Sequence, residues 1–98
     1  MYGTVARLRV KPGAEAELQR LGESFTELDL PPGMVAEYVY RSDADPQVYI
    51  MAVVFTSEEA YRANAASPEQ HARYERLMGH LAAEPMWSDG TVVLAYPR

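Results

Sequence analysis

Polar and apolar residues alternate from Tyr2 to Val10. Tyr2, Thr4, Ala6, Leu8 and Val10 fall on one side, and Val5, Arg7 and Arg9 on the other, which is the two-residue period of a strand. Pro12 suits a first helical turn. After it, Ala14, Leu18, Leu21, Phe25 and Leu28 recur at helical spacing and predict one apolar stripe, ended by Pro31-Pro32-Gly33. Met34 to Arg41 and Gln47 to Phe55 are rich in Val, Tyr and Ile, and the intervening Ser42-Asp43-Ala44-Asp45-Pro46 is turn chemistry. The pair therefore predicts an antiparallel hairpin. Thr56 with Glu59, and Ser67 with Gln70, match the capping box, in which each side chain satisfies the other residue's backbone N–H. They predict two short helices. The second helix aligns Gln70, Tyr74, Leu77, Met78 and Leu81 and stops before Pro85. Asp89-Gly90 then turns the chain into a last strand, Thr91 to Tyr96.

This order is βαββαβ with the second helix broken in two. It predicts a single α+β domain over residues 1–98, a ferredoxin-like plait of four antiparallel strands with helices on one face. The fourth and first strands are expected on either side of the sheet's middle. The third strand carries Tyr49, Met51, Val53 and Phe55 on one face and Val48, Ile50, Ala52 and Val54 on the other, and the last strand is nearly as apolar on both. Helices cover only one of these faces. Burying a valine or isoleucine is worth roughly 1.5–3 kcal/mol, so the other face calls for a partner. A second copy of the chain, closing two sheets into a barrel-like homodimer, is the simplest one.

Composition then removes whole classes of function. The 98 residues carry a formal net charge of −5, which does not suit the neutralisation of nucleic-acid phosphates. The absence of cysteine removes thiolate catalysis, disulfides and cysteine metal sites together. Arg7 and Arg9 stand where a signal peptide would need its apolar core, and the run Val48 to Phe55 is too short to span a bilayer. The reading is a soluble, cytoplasmic protein with no membrane or nucleic-acid partner. No G-x-S-x-G elbow and no glycine-rich phosphate loop is present. His71 and Glu75 are four residues apart on a helix, but His80 lies half a turn round and no third ligand is visible, so no metal site is expected.

Four segments carry a family resemblance: VKPG (Val10 to Gly13), PPGMVAEYVYRS (Pro31 to Ser42), FTSEEAYRAN (Phe55 to Asn64) and SPEQHARY (Ser67 to Tyr74). Together the chain resembles the antibiotic biosynthesis monooxygenase type of dimeric α/β-barrel. The resemblance implies oxygen chemistry without flavin, haem or metal cofactor, on a small aromatic or quinol-type substrate held in an apolar cleft between sheet and helices. The haem-degrading relatives place an asparagine in the first strand, a tryptophan before the x-S-x-E-A segment and a histidine in the helix after it. Ala6, Phe55 and His71 stand at those places here, so haem degradation is disfavoured. Several quinol-type relatives place a histidine directly after the Ser/Thr-Pro pair, where this chain has Glu69 and meets His71 two residues later.

The resulting candidates are His71 as general base and Met51, Phe55, Tyr61, Asn64, Tyr74 and Trp87 as substrate-binding residues. Each has a plainer alternative. A neutral imidazole near a helix N-terminus can accept a substrate proton, and a structural histidine fits the same position. Tyr74 lies in the middle of the helical stripe, and Phe55, Tyr61 and Met51 are equally suited to core packing. Asn64 can cap or end a helix, and Trp87 can lid a cavity or plug a dimer seam. Two functions compete: a cofactor-independent monooxygenase, and a non-catalytic ligand-binding or structural member of the same fold.

Overall fold

The computed structural model describes residues 1–24 and 30–97. Its elements run β1 (Tyr2–Arg9), α1 (Glu15–Glu23), β2 (Met34–Arg41), β3 (Val48–Phe55), α2 (Glu58–Ala65), α3 (Pro68–Met78) and β4 (Met86–Thr91). The expected continuation of the first helix through Phe25 and Leu28 lies outside the described residues. Gly33 enters β2 with φ 83°, a left-handed conformation that glycine adopts without steric cost. Its carbonyl accepts from the Thr56 N–H at 2.8 Å, tying the start of β2 to the end of β3.

The sheet is four-stranded and antiparallel in the order β2-β3-β1-β4, as a ferredoxin-like plait requires. The central strands are thus β1 and β3, and β4 is an edge, not a neighbour of the middle as the sequence suggested. The last strand is also displaced. Met86–Thr91 forms β4, with Asp89 and Gly90 inside it, whereas Val93, Leu94 and Tyr96 are 93%, 83% and 93% exposed beyond its end. Pairing decides this difference: Met86 to Thr91 is the segment that lies in register against Tyr2 to Arg7, and that outweighs the turn signal of Asp-Gly. The first cap shifts by one residue, since the Ser57 hydroxyl, not that of Thr56, accepts the Ala60 N–H at the start of α2. At α3 the Ser67 hydroxyl accepts the Gln70 N–H at 3.1 Å as expected.

β1 shows why the helices lie where they do. Thr4, Ala6, Leu8 and Val10 are buried while Val5, Arg7 and Arg9 face out, so the alternation in sequence becomes two faces of the sheet. Ala6, Leu8, Val10 and Leu81 form a buried cluster, with Ala14, Leu18, Tyr49, Met51, Leu77 and Met78 packed against it. No residue of α1, α2 or α3 is wholly buried. The helices therefore stand over the sheet without filling the space beneath them. On the opposite face Val5, Tyr38, Tyr40 and Met86 remain exposed.

Candidate functional site

The space between sheet and helices is a cavity of about 1160 Å³, and strand register determines what its floor contains. Directly opposed residues of neighbouring strands share a face, so Glu37 (β2), Val53 (β3), Thr4 (β1) and Asp89 (β4) form one row across the sheet. Val39, Met51, Ala6 and Trp87 form the next. Glu37, Val53, Thr4, Asp89, Val39, Met51 and Trp87 all line the cavity. Its roof comes from α1 through Leu18 and Leu21, from α2 through Tyr61 and Asn64, and from α3 through Gln70, His71, Arg73, Tyr74 and Leu77.

All seven residues singled out in the sequence therefore border one cavity: Met51, Phe55, Tyr61, Asn64, His71, Tyr74 and Trp87. They occupy different depths. Phe55 is buried at 1% exposure, with the Tyr61 ring set edge-on at 5.7 Å. Tyr74 stacks on Trp87 with ring centroids 6.2 Å apart, so α3 and β4 are joined by an aromatic pair along one side. Trp87 belongs to β4. Asn64 is half-buried, and its backbone carbonyl accepts the Ser67 N–H at 3.0 Å, which sets the joint between α2 and α3. His71 stands at the rim with 74% of its side chain exposed, and its Nε2 is 2.9 Å from Glu75 Oε1. That contact engages one ring nitrogen on the helix surface and leaves Nδ1 for a ligand.

The two ends of the Glu37 to Asp89 row differ chemically. At the β4 end the Tyr61 hydroxyl donates to Asp89 Oδ1 at 2.8 Å, and Arg62 Nη1 lies 3.6 Å from Asp89 Oδ2. Arg62 also donates to the Tyr2 hydroxyl at 3.1 Å, and its guanidinium sits 5.6 Å and 5.5 Å from the Tyr2 and Tyr61 ring centroids. The neighbouring Thr4 hydroxyl, with the Tyr61 hydrogen bond and Arg62, holds the Asp89 carboxyl below its ordinary value. Burial, then the bond to Asp89, pushes the Tyr61 phenol up. Thr4 Oγ1 is itself buried and makes no hydrogen bond of good geometry. At the β2 end, burial pushes the Glu37 carboxyl up, and the Arg73 guanidinium on α3 acts in the opposite direction. Glu37 accepts no hydrogen bond from any described residue, whereas Arg73 donates to Gln70 Oε1 at 3.3 Å.

Sequence reasoning missed Glu37, Arg73, Thr4 and Asp89. Glu37 was within reach of it. Counting back along the hairpin from the Arg41 to Tyr49 pair puts Glu37 opposite Val53, on the face already assigned to Tyr49, Met51, Val53 and Phe55. Asp89 was taken for a turn residue, and only its pairing with Thr4 brings it to the cavity. Among the described residues no three or more His, Asp or Glu side chains gather as metal ligands, and no helix is long and apolar enough to cross a membrane.

Fold and cavity define an α+β plait with an open space between sheet and helices. The sequence matches the antibiotic biosynthesis monooxygenase family over residues 1–76, and the chain belongs to that family. No curated protein matches it. Among solved structures it is similar to SnoaB of Streptomyces nogalater, described as a cofactor-independent oxygenase, at 21% identity over 99% of this chain and 97% of that one, with a TM-score of 0.82. A conserved protein of Methanosarcina mazei Go1 is 22% identical over 91% of this chain and 89% of its own, with a TM-score of 0.79. A Mycobacterium tuberculosis protein is 16% identical over 97% of both chains, with a TM-score of 0.79. At these identities the likeness speaks for the fold alone.

Proposed function

We propose that the protein is a cofactor-independent monooxygenase acting on a small phenolic or quinol-type aromatic compound held between sheet and helices. The observation that carries the reading is the cavity wall. Met51, Val53, Phe55 and Leu77, with the stacked Tyr74 and Trp87, offer apolar and aromatic surface, and polar groups such as Glu37, Arg73, Tyr61 and Asp89 stand beside it. Such a wall favours a flat ring over water. In this reading Met51, Phe55, Tyr61, Asn64, Tyr74 and Trp87 contact the substrate and His71 stands at the entrance.

The chemistry balances with dioxygen alone. Loss of the hydroxyl proton leaves an electron-rich phenolate, which passes one electron to dioxygen. The resulting radical pair combines at a ring carbon ortho or para to the oxygen that still carries hydrogen, forming a C–O bond, and the peroxide takes up a proton. Removal of the C–H proton from that carbon then breaks the O–O bond. One oxygen atom stays as a carbonyl and the other leaves as hydroxide, protonated to water, so a phenol becomes a quinone with no external reductant. The protein's part is to hold the ring, exclude water and supply a proton acceptor within hydrogen-bond reach of the hydroxyl.

The same reading includes a cytoplasmic homodimer, and two observations support the pairing. Val5, Tyr38, Tyr40 and Met86 lie exposed on the uncovered sheet face, and Val93, Leu94 and Tyr96 continue beyond β4 almost fully exposed. The strand pattern of Thr91 to Tyr96 thus has a natural use against a second copy. Size measurement at micromolar concentration is expected to give twice the chain mass, and Leu94→Asp to shift it toward a monomer. A wild-type monomer would end the dimer reading.

Oxygen uptake by flavin-free and metal-free protein with hydroquinones and polyphenols tests the function. Uptake above the rate of spontaneous oxidation, with quinone formed, is the expected result. Saturable binding of the same compounds without uptake would instead identify a ligand-binding protein.

A further inference from the structure

A proton acceptor for an aromatic hydroxyl must reach the ring, carry a lone pair not already committed, and sit where its charge is costly enough to make it basic. Among the described residues the ionisable groups around the cavity are Glu23 of α1, Glu37 and Arg41 of β2, Tyr49 of β3, Tyr61 of α2, His71, Arg73 and Tyr74 of α3, and Asp89 of β4. Most have other engagements. Asp89 accepts from Tyr61 and faces Arg62. Glu23 accepts from Gln19 at 2.9 Å along α1. His71 is tied to Glu75 at the rim, three-quarters in solvent.

Glu37, part of whose surface is open to solvent, differs in its lone pairs and its counter-charge. It lies on the cavity floor opposite Val53, two residues along β2 from the row of Val39, Met51 and Trp87. Its carboxylate accepts nothing from the described residues. A cation stands over it from the roof, since Arg73 also lines the cavity and is close enough to act on the Glu37 charge. A carboxylate below and a guanidinium above suit a hydroxyl that is about to ionise: the carboxylate takes the proton and the guanidinium stabilises the oxyanion left behind.

We propose that Glu37, facing Arg73 across the cavity, is the proton acceptor for the hydroxyl group of a phenolic or catecholic ligand bound there. The assignment rests on the oxygenase reading for its catalytic meaning and gives the proton-accepting role to Glu37 in preference to His71. In the step itself the O–H bond of the ligand breaks and a new O–H bond forms on Glu37, with the negative charge passing from the carboxylate to the ring oxygen beside Arg73. The same proton is available to the peroxide formed later, so the carboxylate is regenerated in each cycle.

The test uses 4-nitrocatechol, whose absorption reports the ionisation of its hydroxyls, together with oxygen uptake on a hydroquinone. With wild-type protein the affinity for the neutral catechol is expected to rise as Glu37 ionises. Glu37→Gln should remove that step and weaken binding about tenfold, in keeping with loss of a charge-assisted hydrogen bond. Arg73→Gln, a second variant in case the first folds poorly, should move the step to higher pH, because Arg73 is what holds the Glu37 carboxyl down. No binding to wild-type protein, or an unchanged pH dependence in both variants, overturns the assignment. If the binding step is present and lost in Glu37→Gln while wild-type protein takes up no oxygen, Glu37 stands as the acceptor and the oxygenase reading falls. If wild-type protein turns over and Glu37→Gln matches it in rate and acid limb, the oxygenase reading stands and the assignment falls.

Discussion

Glu37 and Asp89 occupy the two ends of one row across the sheet, separated by three strand spacings of ~4.8 Å, yet they do different physical work. Asp89 is held by the Tyr61 hydroxyl, Arg62 and the Thr4 side chain, and its charge is stabilised. It fastens α2 to the β4 edge. Glu37 is accessible from the cavity and partly open to solvent, the protein around it raises its carboxyl, and Arg73 is its counter-charge. Its charge is tolerated more than it is stabilised. A carboxylate whose lone pairs are committed holds a fold together, and one whose lone pairs are open at a cost in solvation can do chemistry.

The largest effect that would sharpen this contrast is on turnover. Glu37→Gln should lower kcat for a hydroquinone by about 100-fold or more, the usual contribution of a general base, with a much smaller change in KM. Wild-type rates in that variant would break the contrast. Asp89→Ala should act on stability instead. Removing a partly exposed hydrogen bond and ion pair costs ~1 kcal/mol, a fall in melting temperature of roughly 4–8 °C for a domain of this size, with kcat of the folded protein largely kept.

A third, smaller effect follows from the sign of the carboxyl shifts. The folded-state pKa of Glu37 is raised, so the folded form holds its proton more tightly than the unfolded chain, and stability falls as pH rises from the ordinary glutamate value through the raised one. Glu37→Gln removes that loss and should raise the melting temperature slightly at neutral pH but not at pH 4. The Asp89 pKa is lowered, so its contribution is present above the ordinary aspartate value and is lost as pH falls through the lowered one. Acid titration of the melting temperature in the two variants separates these opposite slopes. The smallest effect is expected from His71→Ala. With the imidazole three-quarters exposed and bonded to Glu75 on its own helix, turnover should change by less than about threefold and stability by less than about 0.5 kcal/mol. A loss as large as that of Glu37→Gln would return the base to α3.

The sequence carried the architecture further than the site. Alternation in Tyr2 to Val10 and the cap at Ser67 are local signals, and the fold honours both. The hairpin of β2 and β3 was likewise legible, because turn chemistry and β-branched runs act over a few residues. The last strand was not. Asp89-Gly90 has the local chemistry of a turn, but Met86 to Thr91 pairs with Tyr2 to Arg7 at the far end of the chain, and no short-range pattern encodes that. The site divides similarly. Aromatic and apolar residues at strand or helix spacing pointed to the cavity wall, and all seven candidates border it. The pairing of Glu37 with Arg73 needed the register of one hairpin and the seating of α3 over it at once, and neither strand nor helix periodicity contains the relation between them.

The central claim is that this cavity carries out oxygen chemistry on an aromatic hydroxyl with the protein's own groups. The most direct test is the stoichiometry of oxygen uptake by metal-free and flavin-free protein turning over a hydroquinone in ¹⁸O₂. The expected result is one dioxygen consumed per product, one labelled atom in the new carbonyl and the other in water. Uptake that requires added iron or flavin, or a quinone formed with no label incorporated, would contradict the account.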